Sequence, residues 1–228
     1  MLKNKCLSLY MIILFIFIFY SSSIKALNLP LIDTVITIDP GHGGRDPGTI
    51  YNNTFEKDIN LEISKELEKQ LGKMGAITYM TRTRDEDLSS IYDPKKKRGD
   101  LYRRLLLIKK NNSDLYLSIH INWYKNSSYK GAEVLYNGIN SKNKLLATSI
   151  MNEFSKTLSS TREIKKTDLY MYRNITVPGV LIECGYLSNY YERNALKTKE
   201  YQEKLAQVIT DGVIKYIENI NKKKDLYF

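Results

Sequence analysis

A buried strand that runs into a glycine-rich loop constrains this chain more than any other part of its sequence. Residues 35–48 read VITIDPGHGGRDPG, and their apolar start predicts a strand over 35–39 that Pro40 and the following glycines end. His42 lies in that loop, and His120, the only other histidine, closes a second apolar run, LYLSIHI at 115–121. A site built on imidazole must therefore bring two strand ends together and take its remaining ligands from carboxylates.

Apolar runs alternate with amphipathic segments along the rest of the chain. Apolar residues at helical spacing predict helices at 55–73, 101–110, 142–158 and 199–220. Short apolar runs predict strands at 35–39, 76–81, 115–121, 131–136, 169–172 and 180–184. This alternation is typical of an α/β protein whose sheet is covered on both faces. We predict a single three-layer domain with a mostly parallel or mixed twisted sheet of about six strands and helices on both faces.

The N-terminus has a different composition from the rest. Lys3 and Lys5 precede an apolar run at 7–20, and small and polar residues follow up to Ala26. This order predicts an export signal at 1–26, with a retained N-terminal anchor as the alternative. A linker at 27–34, a folded domain at 35–220 and a basic tail at 221–228 complete the predicted organisation.

Charge and cysteine content agree with export. The chain carries a formal charge of +10, which becomes +7 once the three lysines of the predicted signal are removed. A basic protein favours an anionic neighbour such as a wall polymer or a lipid surface, whereas an exported protein rarely meets nucleic acid. Loss of Cys6 with the signal leaves Cys184 alone, so the mature chain cannot form an intramolecular disulfide. The basic run KKKR at 95–98 is interpreted as a solvated loop, with a grip on an anionic strand as the alternative.

Four side chains converge on one edge of the predicted sheet. His42, His120 and Glu183 each lie at or just after the end of a strand, and Glu56 occupies the inward face of the helix that follows the first loop. Two imidazoles and one carboxylate form the ligand set of a hydrolytic zinc site, and a second carboxylate can act as general base and acid.

Each of these residues also has a simpler interpretation. A histidine in a glycine-rich loop is often a turn residue, and one late in a strand is often a hydrogen-bonded core residue. Glu56 could merely meet the dipole at the start of its helix. Glu183 could pair with an arginine such as Arg45 or Arg104. No HExxH or GxSxG motif is present, so the chemistry depends on this cluster.

Five motifs occur in the order of a known family. They are DPGHGG at 39–44, the helix that carries Glu56, TRTRD at 81–85, SIHIN at 118–122 and IECGYLSN at 182–189. Together they resemble the zinc-dependent N-acetylmuramoyl-L-alanine amidases of the Amidase_3 type over residues 35–220, which would be the catalytic domain. The resemblance implies one zinc ion bound by His42, Glu56 and His120, with Glu183 as the catalytic carboxylate. It further implies hydrolysis of the amide between N-acetylmuramic acid and L-alanine, so that peptidoglycan glycan strands and stem peptides are the partners.

The absence of an added wall-binding domain and the basic insert near 87–100 are most similar to the spore-cortex members, the CwlD type. Those members act in spore cortex maturation, where muramic-δ-lactam is formed, and in germination. This implies action in the cell wall or the forespore intermembrane space, and some members need an accessory activating protein. Asn122 could donate to the oxyanion, support His120 or cap a turn. Arg45 could contact a peptide carboxylate or form a structural ion pair.

Two other functions fit parts of the sequence. A non-catalytic peptidoglycan-binding module would use the basic charge and the 18 tyrosines, and it predicts no role for Glu183. A phosphate-binding hydrolase would use the glycine-rich loop as an anion cradle, but the loop lacks the Lys-Ser/Thr pair of a P-loop. Proline at position 47 also removes a backbone donor there.

Overall fold

The computed structural model describes residues 29–168 and 170–225. Within them the predicted fold class is confirmed: one α/β domain is built on a six-stranded, mostly parallel sheet. The strands are β1 (Val35–Pro40), β2 (Ile50–Tyr51), β3 (Thr54–Phe55), β4 (Ile77–Met80), β5 (Leu115–Asn122), β6 (Glu133–Tyr136), β7 (Lys165–Lys166) and β8 (Gly179–Tyr186). The helices are α1 (Glu56–Lys73), α2 (Lys96–Lys110), α3 (Ser141–Leu158), α4 (Tyr190–Leu196) and α5 (Lys199–Asp225).

The strand order places the ends of β1 and β5 at a switch point of the sheet. The six strands follow the order β4-β1-β5-β8-β6-β7, while β2 and β3 form a separate hairpin. Strands β4, β1, β5 and β8 run parallel to one another, and β6 is antiparallel to β8. The chain leaves β1 toward β4 and returns to β5 on the other side of β1. In such sheets the ligand site forms where the strand order reverses, at the carboxyl ends of the strands.

The same connectivity puts helices on both faces. Since crossovers between parallel strands are right-handed, the helix from β1 to β4 and the helix from β4 to β5 must lie on opposite faces. Helices α1, α3 and α5 cover one face over the main core, which includes Ile63, Phe154 and Ile209. Helix α2 covers the other face over a smaller core of Leu105, Ile108, Tyr116, Ile175 and Leu181.

Two local predictions are wrong. Residues 170–174 form a 3-10 helix instead of the predicted strand at 169–172, and the neighbouring edge strand is the two-residue β7. Residues 96–98 begin α2 instead of lying in a solvated loop. Three cations at a helix N-terminus oppose the helix dipole. Lys96 is held there because its Nζ donates to the carbonyls of Ser90 at 2.8 Å and Ile91 at 2.7 Å.

The ordered domain extends beyond both predicted boundaries. Leu31, in the predicted linker, is fully buried, and its N–H donates to the carbonyl of Met74. Helix α5 continues to Asp225, within the predicted tail. The sequence analysis did not anticipate α4. The predicted export signal at 1–26 lies outside the described residues, and none of the described helices has the length and apolar character to cross a membrane.

Candidate active site and metal centre

The glycine-rich loop is packed directly against the second histidine. Gly41 donates its N–H to the carbonyl of Ile119 at 2.9 Å, and a Cβ at Gly41 would lie 2.3 Å from the His120 ring. Only glycine fits such a close approach. His42 has a φ of 62°, in the left-handed region that a residue with a side chain adopts at an energetic cost. The surrounding structure must therefore hold this loop in place.

Two buried arginines hold the carbonyl groups of the loop. Arg104 donates from Nη1 to the carbonyl of Pro40 and from Nη2 to that of His42, both at 2.6 Å. Arg82 donates from Nε to the Pro40 carbonyl at 3.0 Å and from Nη2 to the Gly41 carbonyl at 2.9 Å. Asp39 pairs with Arg104 at 2.8 Å; burial raises the Asp39 pKa, but this cation together with hydrogen bonds from Thr81 and Ser118 outweighs burial, and the net pKa is lowered. The arginines thus fix the backbone that presents His42.

Glu56 lies at the centre of the cluster. As predicted, its side chain points inward from the first turn of α1, and the residue is 3% exposed. Its Oε1 atom lies 3.2 Å from His42 Nε2 and 3.0 Å from His120 Nδ1. The N–H of Ile121 donates to the same oxygen, and the N–H of Thr49 donates to Oε2. Burial alone raises the pKa of Glu56, but its contacts with the two histidines outweigh burial and hold the pKa far below the ordinary value.

The three side chains fit a metal ion. One atom from each of His42, Glu56 and His120 can be chosen so that all lie within 4.8 Å of one another. Two ligands about 2.1 Å from a tetrahedral zinc ion are separated by about 3.3 Å. The observed distances of 3.2 and 3.0 Å from Glu56 Oε1 to the two imidazoles are close to that value. Asp46 Oδ2 lies 3.0 Å from His42 Nδ1, on the other side of that ring.

Glu183 stands beside the cluster without a partner of its own. Its Cα pairs with that of His120 on β5 and with that of Glu133 on β6, so the three residues form one row across the sheet. The Oε2 atom is buried and makes no hydrogen bond within the described part of the chain. Burial, the charge of Glu56 and the charge of Glu133 together raise the Glu183 pKa well above its usual range. Such a carboxyl binds a proton more readily than an ordinary glutamate.

Neither arginine considered for Glu183 is its partner. Arg104 is committed to Asp39 and Asp100, both at 2.8 Å. Arg45 is exposed and pairs with Asp87 through Nε at 2.9 Å and Nη2 at 3.0 Å. The structure thus places Arg45 in a surface ion pair, away from the histidines. A buried carboxyl with no cation is costly, which makes a structural role for Glu183 a poor explanation.

Asn122 supports a carboxylate that sequence reasoning missed. Its Nδ2 donates to Glu133 Oε1 at 2.8 Å, and its Oδ1 accepts from the N–H of Trp123 at 2.8 Å. The hydroxyl of Tyr186 donates to the same Glu133 oxygen at 3.0 Å. The side chain of Asn122 is therefore used for Glu133 and not for His120. Glu133 was not predicted because the apolar pattern does not show the antiparallel direction of β6, which brings the first residue of that strand to this edge.

A cavity of about 270 Å³ opens beside the two histidines on the α2 face. Leu101 and Leu181 form apolar parts of its wall, and Tyr170 of the 3-10 helix contributes to its rim. Lys97, from the first turn of α2, also lines it, with Nζ 3.6 Å from Asp46 Oδ2. A substrate group bound next to the cluster thus has room on this side.

Comparisons with known proteins agree with this geometry. The family model for N-acetylmuramoyl-L-alanine amidases matches residues 36–215. The germination-specific N-acetylmuramoyl-L-alanine amidase of Bacillus subtilis is 36% identical over 215 residues, covering 91% of each chain. The structure of the CwlD amidase of Clostridioides difficile in complex with the GerS lipoprotein has a TM-score of 0.78 at 35% identity, covering 82% of this chain and 99% of that one.

A second solved structure, an N-acetylmuramoyl-L-alanine amidase from Clostridium difficile 630, has a TM-score of 0.72 at 31% identity and covers 81% of this chain and 97% of that one. The relatives therefore match nearly the whole domain and not a single motif. Both the sequence resemblance and its similarity to the CwlD type are confirmed. The chain belongs to the N-acetylmuramoyl-L-alanine amidase family and is a peptidoglycan amidase similar to the CwlD type.

Proposed function

We propose that the chain is an exported, zinc-dependent amidase that cleaves the amide between the lactyl group of N-acetylmuramic acid and L-alanine. The observation that carries this proposal is the arrangement at the sheet edge, where a metal-ligand triad lies beside Glu183, whose Oε2 makes no hydrogen bond within the described residues. His42, Glu56 and His120 would hold one zinc ion. Zinc bound there would supply a Lewis acid that polarises the scissile carbonyl and lowers the pKa of water to about 7.

Glu183 is assigned the proton transfers. It takes a proton from the attacking water as the water oxygen bonds to the carbonyl carbon. It then gives that proton to the nitrogen as the carbon–nitrogen bond breaks, so L-alanine leaves with a free amine. The raised pKa of Glu183 suits a group that must both accept and return a proton, and a cation held by the neighbouring triad would lower that pKa. Glu133 pairs with Glu183 across the sheet, and Asn122 holds the Glu133 carboxylate by a hydrogen bond.

We further propose a role in spore cortex maturation, in muramic-δ-lactam formation, and in germination, with action in the cell wall or the forespore intermembrane space. The germination-specific relative supports this assignment. The complex of the CwlD amidase with a lipoprotein supports a need for an accessory protein. Export with cleavage after Ala26 predicts that the secreted protein begins at Leu27, which N-terminal sequencing would test.

The direct test uses purified chain lacking the predicted signal, peptidoglycan from spores and from vegetative walls, and mass spectrometry of the products. The expected products are glycan strands without stem peptides and peptides that begin with a free L-alanine amine. His120→Ala should lose bound zinc and turnover together. Intact zinc binding without turnover would point to a missing accessory protein. A parent that binds peptidoglycan, but does not bind zinc and does not cleave peptidoglycan, would be a binding module instead.

A further inference from the structure

A groove rich in tyrosine lies next to the site and has no part in the steps above. It is bounded by Tyr51 of the β2–β3 hairpin, by the loop 126–128 and by Tyr190 and Tyr191 at the start of α4. We propose that this tyrosine groove binds the glycan strand of peptidoglycan whose stem peptide is being removed. The inference rests on the proposed function and adds to it a binding site for the sugar polymer.

The walls of the tyrosine groove continue the segments that build the site. The hairpin of Tyr51 leads directly into Glu56, and α4 begins four residues after the last strand of the site, β8, ends. The walls are also tied to one another, because Asn189 Nδ2 donates to the carbonyl of Ser127 at 2.9 Å. The groove, which has a volume of about 440 Å³, is therefore built from segments that follow the strands and loop of the cluster at the carboxyl edge of the sheet.

A buried arginine holds the tyrosine rings in fixed positions. The guanidinium carbon of Arg193 lies 5.0 Å from the centroid of the Tyr51 ring and 5.7 Å from that of Tyr190. Its Nη1 donates to the carbonyl of Leu187 at 2.7 Å, so a backbone contact fixes the position of the guanidinium. Tyr191 meets Tyr190 edge to face, with centroids 5.5 Å apart. Guanidinium–ring and ring–ring contacts of this kind stabilise a platform before any ligand arrives.

The platform faces solvent. Tyr190 is 63% exposed and Tyr191 is 81% exposed. Neighbouring aromatic rings that are held in place and exposed to water are a feature of interaction surfaces. The backbone around them is also fixed, since the Asn189 side chain caps α4 by accepting from the N–H of Tyr191 and of Glu192.

The chemistry of the lining favours a sugar polymer over a peptide. Sugar rings present flat C–H faces that stack on aromatic rings, and hydroxyl edges that bond to amides and hydroxyls. The described residues that line the tyrosine groove offer tyrosine rings together with asparagine and serine side chains, and no carboxylate. Their one cation, Arg193, is only 6% exposed and is covered by rings. A charged stem peptide matches the cavity beside Lys97 better, on the α2 face.

Binding to glycan strands stripped of stem peptides tests the inference without requiring cleavage. The parent chain should bind such strands, and Tyr191→Ala should raise Kd about tenfold, the effect of losing one stacked ring. The matched control is Tyr92→Ala, because Tyr92 is 87% exposed in the loop before α2 and outside the groove. On intact peptidoglycan, Tyr191→Ala should raise KM by a similar factor with little change in kcat.

The outcomes separate this inference from the proposed function. A parent that holds stripped strands but neither binds zinc nor cleaves peptidoglycan would leave the glycan site standing and overturn the amidase role. A parent that cleaves peptidoglycan, with Tyr191→Ala and Tyr190→Ala both matching it in Kd and KM, would overturn the glycan site alone. Equal weakening by Tyr92→Ala would also overturn it, because the effect would not belong to the tyrosine groove.

Discussion

Two buried glutamates on the same edge of the sheet have opposite surroundings. On the side of β1 and α1, Glu56 receives two backbone N–H groups and faces two imidazoles, and its pKa is held far below the ordinary value. On the side of β8 and β6, Glu183 has an oxygen with no donor within the described residues and a second carboxyl, Glu133, beside it, and its pKa is raised. The surroundings of Glu56 therefore stabilise its ionised form, whereas those of Glu183 favour its protonated form.

This difference favours the proposed roles of the two acids without reference to any relative. A metal ligand must stay deprotonated, whereas a general acid and base must exchange its proton near the working pH. Pairs of titratable groups with pKa values pushed apart are a recurrent mark of catalytic sites. The sequence analysis placed both glutamates at the site, but from the residues alone it could not tell which would bind the metal.

The largest expected effect comes from removing each charge in turn. Glu56→Gln should lower zinc affinity by more than about 100-fold, because it removes the anion between the imidazoles. Glu183→Gln should keep zinc and lower kcat by at least about 100-fold. Metal content after dialysis against a chelator, measured with turnover, checks both, and Glu62→Gln on the exposed face of α1 is the control. Loss of zinc from Glu183→Gln would contradict the proposal that only Glu56 of the two glutamates binds the metal.

The rigidity of the β1 side depends on Arg104. Arg104→Met should lower the free energy of unfolding by about 3–5 kcal/mol, because it leaves Asp39 and Asp100 buried without their cation. The adjacent Arg103→Met removes an exposed ion pair with Asp93 and should change stability little. Urea unfolding of the metal-free protein measures the difference. Similar losses in the two variants would show that burial of the Arg104 ion pairs adds nothing.

The raised pKa of Glu183 makes stability depend on pH. Above pH 4.5 the carboxyl ionises in the unfolded chain, while the folded chain keeps its proton up to the raised pKa. The parent should therefore lose stability relative to Glu183→Gln as the pH rises from 4.5. The expected gap in Tm between the variant and the parent is on the order of a few degrees at pH 8 and near zero at pH 4. Thermal unfolding in chelator measures it, and a gap that does not change with pH would contradict the assignment.

Glu133 should have the smallest effect. Burial and Glu56 raise the Glu183 pKa more than Glu133 does, so Glu133→Gln should shift the pH profile of kcat only modestly, toward lower pH. Asn122 and Tyr186 can still donate to the amide oxygen of the variant, which limits any structural change. The exposed Glu163→Gln serves as control in the same profile. A shift toward higher pH would mean that Glu133 acts through geometry and not through its charge.

The sequence predicted the parts of the fold that depend on burial. Strands β1, β5 and β8 and helices α1 and α5 were found because their apolar patterns are long and unambiguous. Strand β7 is too short and polar to leave such a pattern, and the start of α2 breaks the usual charge rule for helix ends. Lys96 at that helix start donates to the carbonyls of Ser90 and Ile91 in the preceding loop, and the charge rule for helix ends does not include such contacts.

The candidate site, like the fold, was predictable only in part. Residues at strand ends could be assigned to one edge because parallel strands share a direction, and His42, Glu56 and His120 do come together there. The supporting contacts could not be predicted. Arg82 and Arg104 reach the loop carbonyls from segments 40 and more residues away, and only the packed structure brings them there.

The order of the site residues along the chain also has a consequence for folding. The three proposed metal ligands come from the loop after β1, from α1 and from β5, all within the first 122 residues, whereas Glu183 arrives with β8. Pairing of β1 with β5 joins Ile36 to Leu115, a long-range contact that forms slowly. Assembly of the proposed metal site thus needs β1, α1 and β5 in place, but not β8. The proposed catalytic carboxyl joins the site only with the last strand. A chain in which β8 has not yet paired could therefore hold zinc without being able to cleave peptidoglycan.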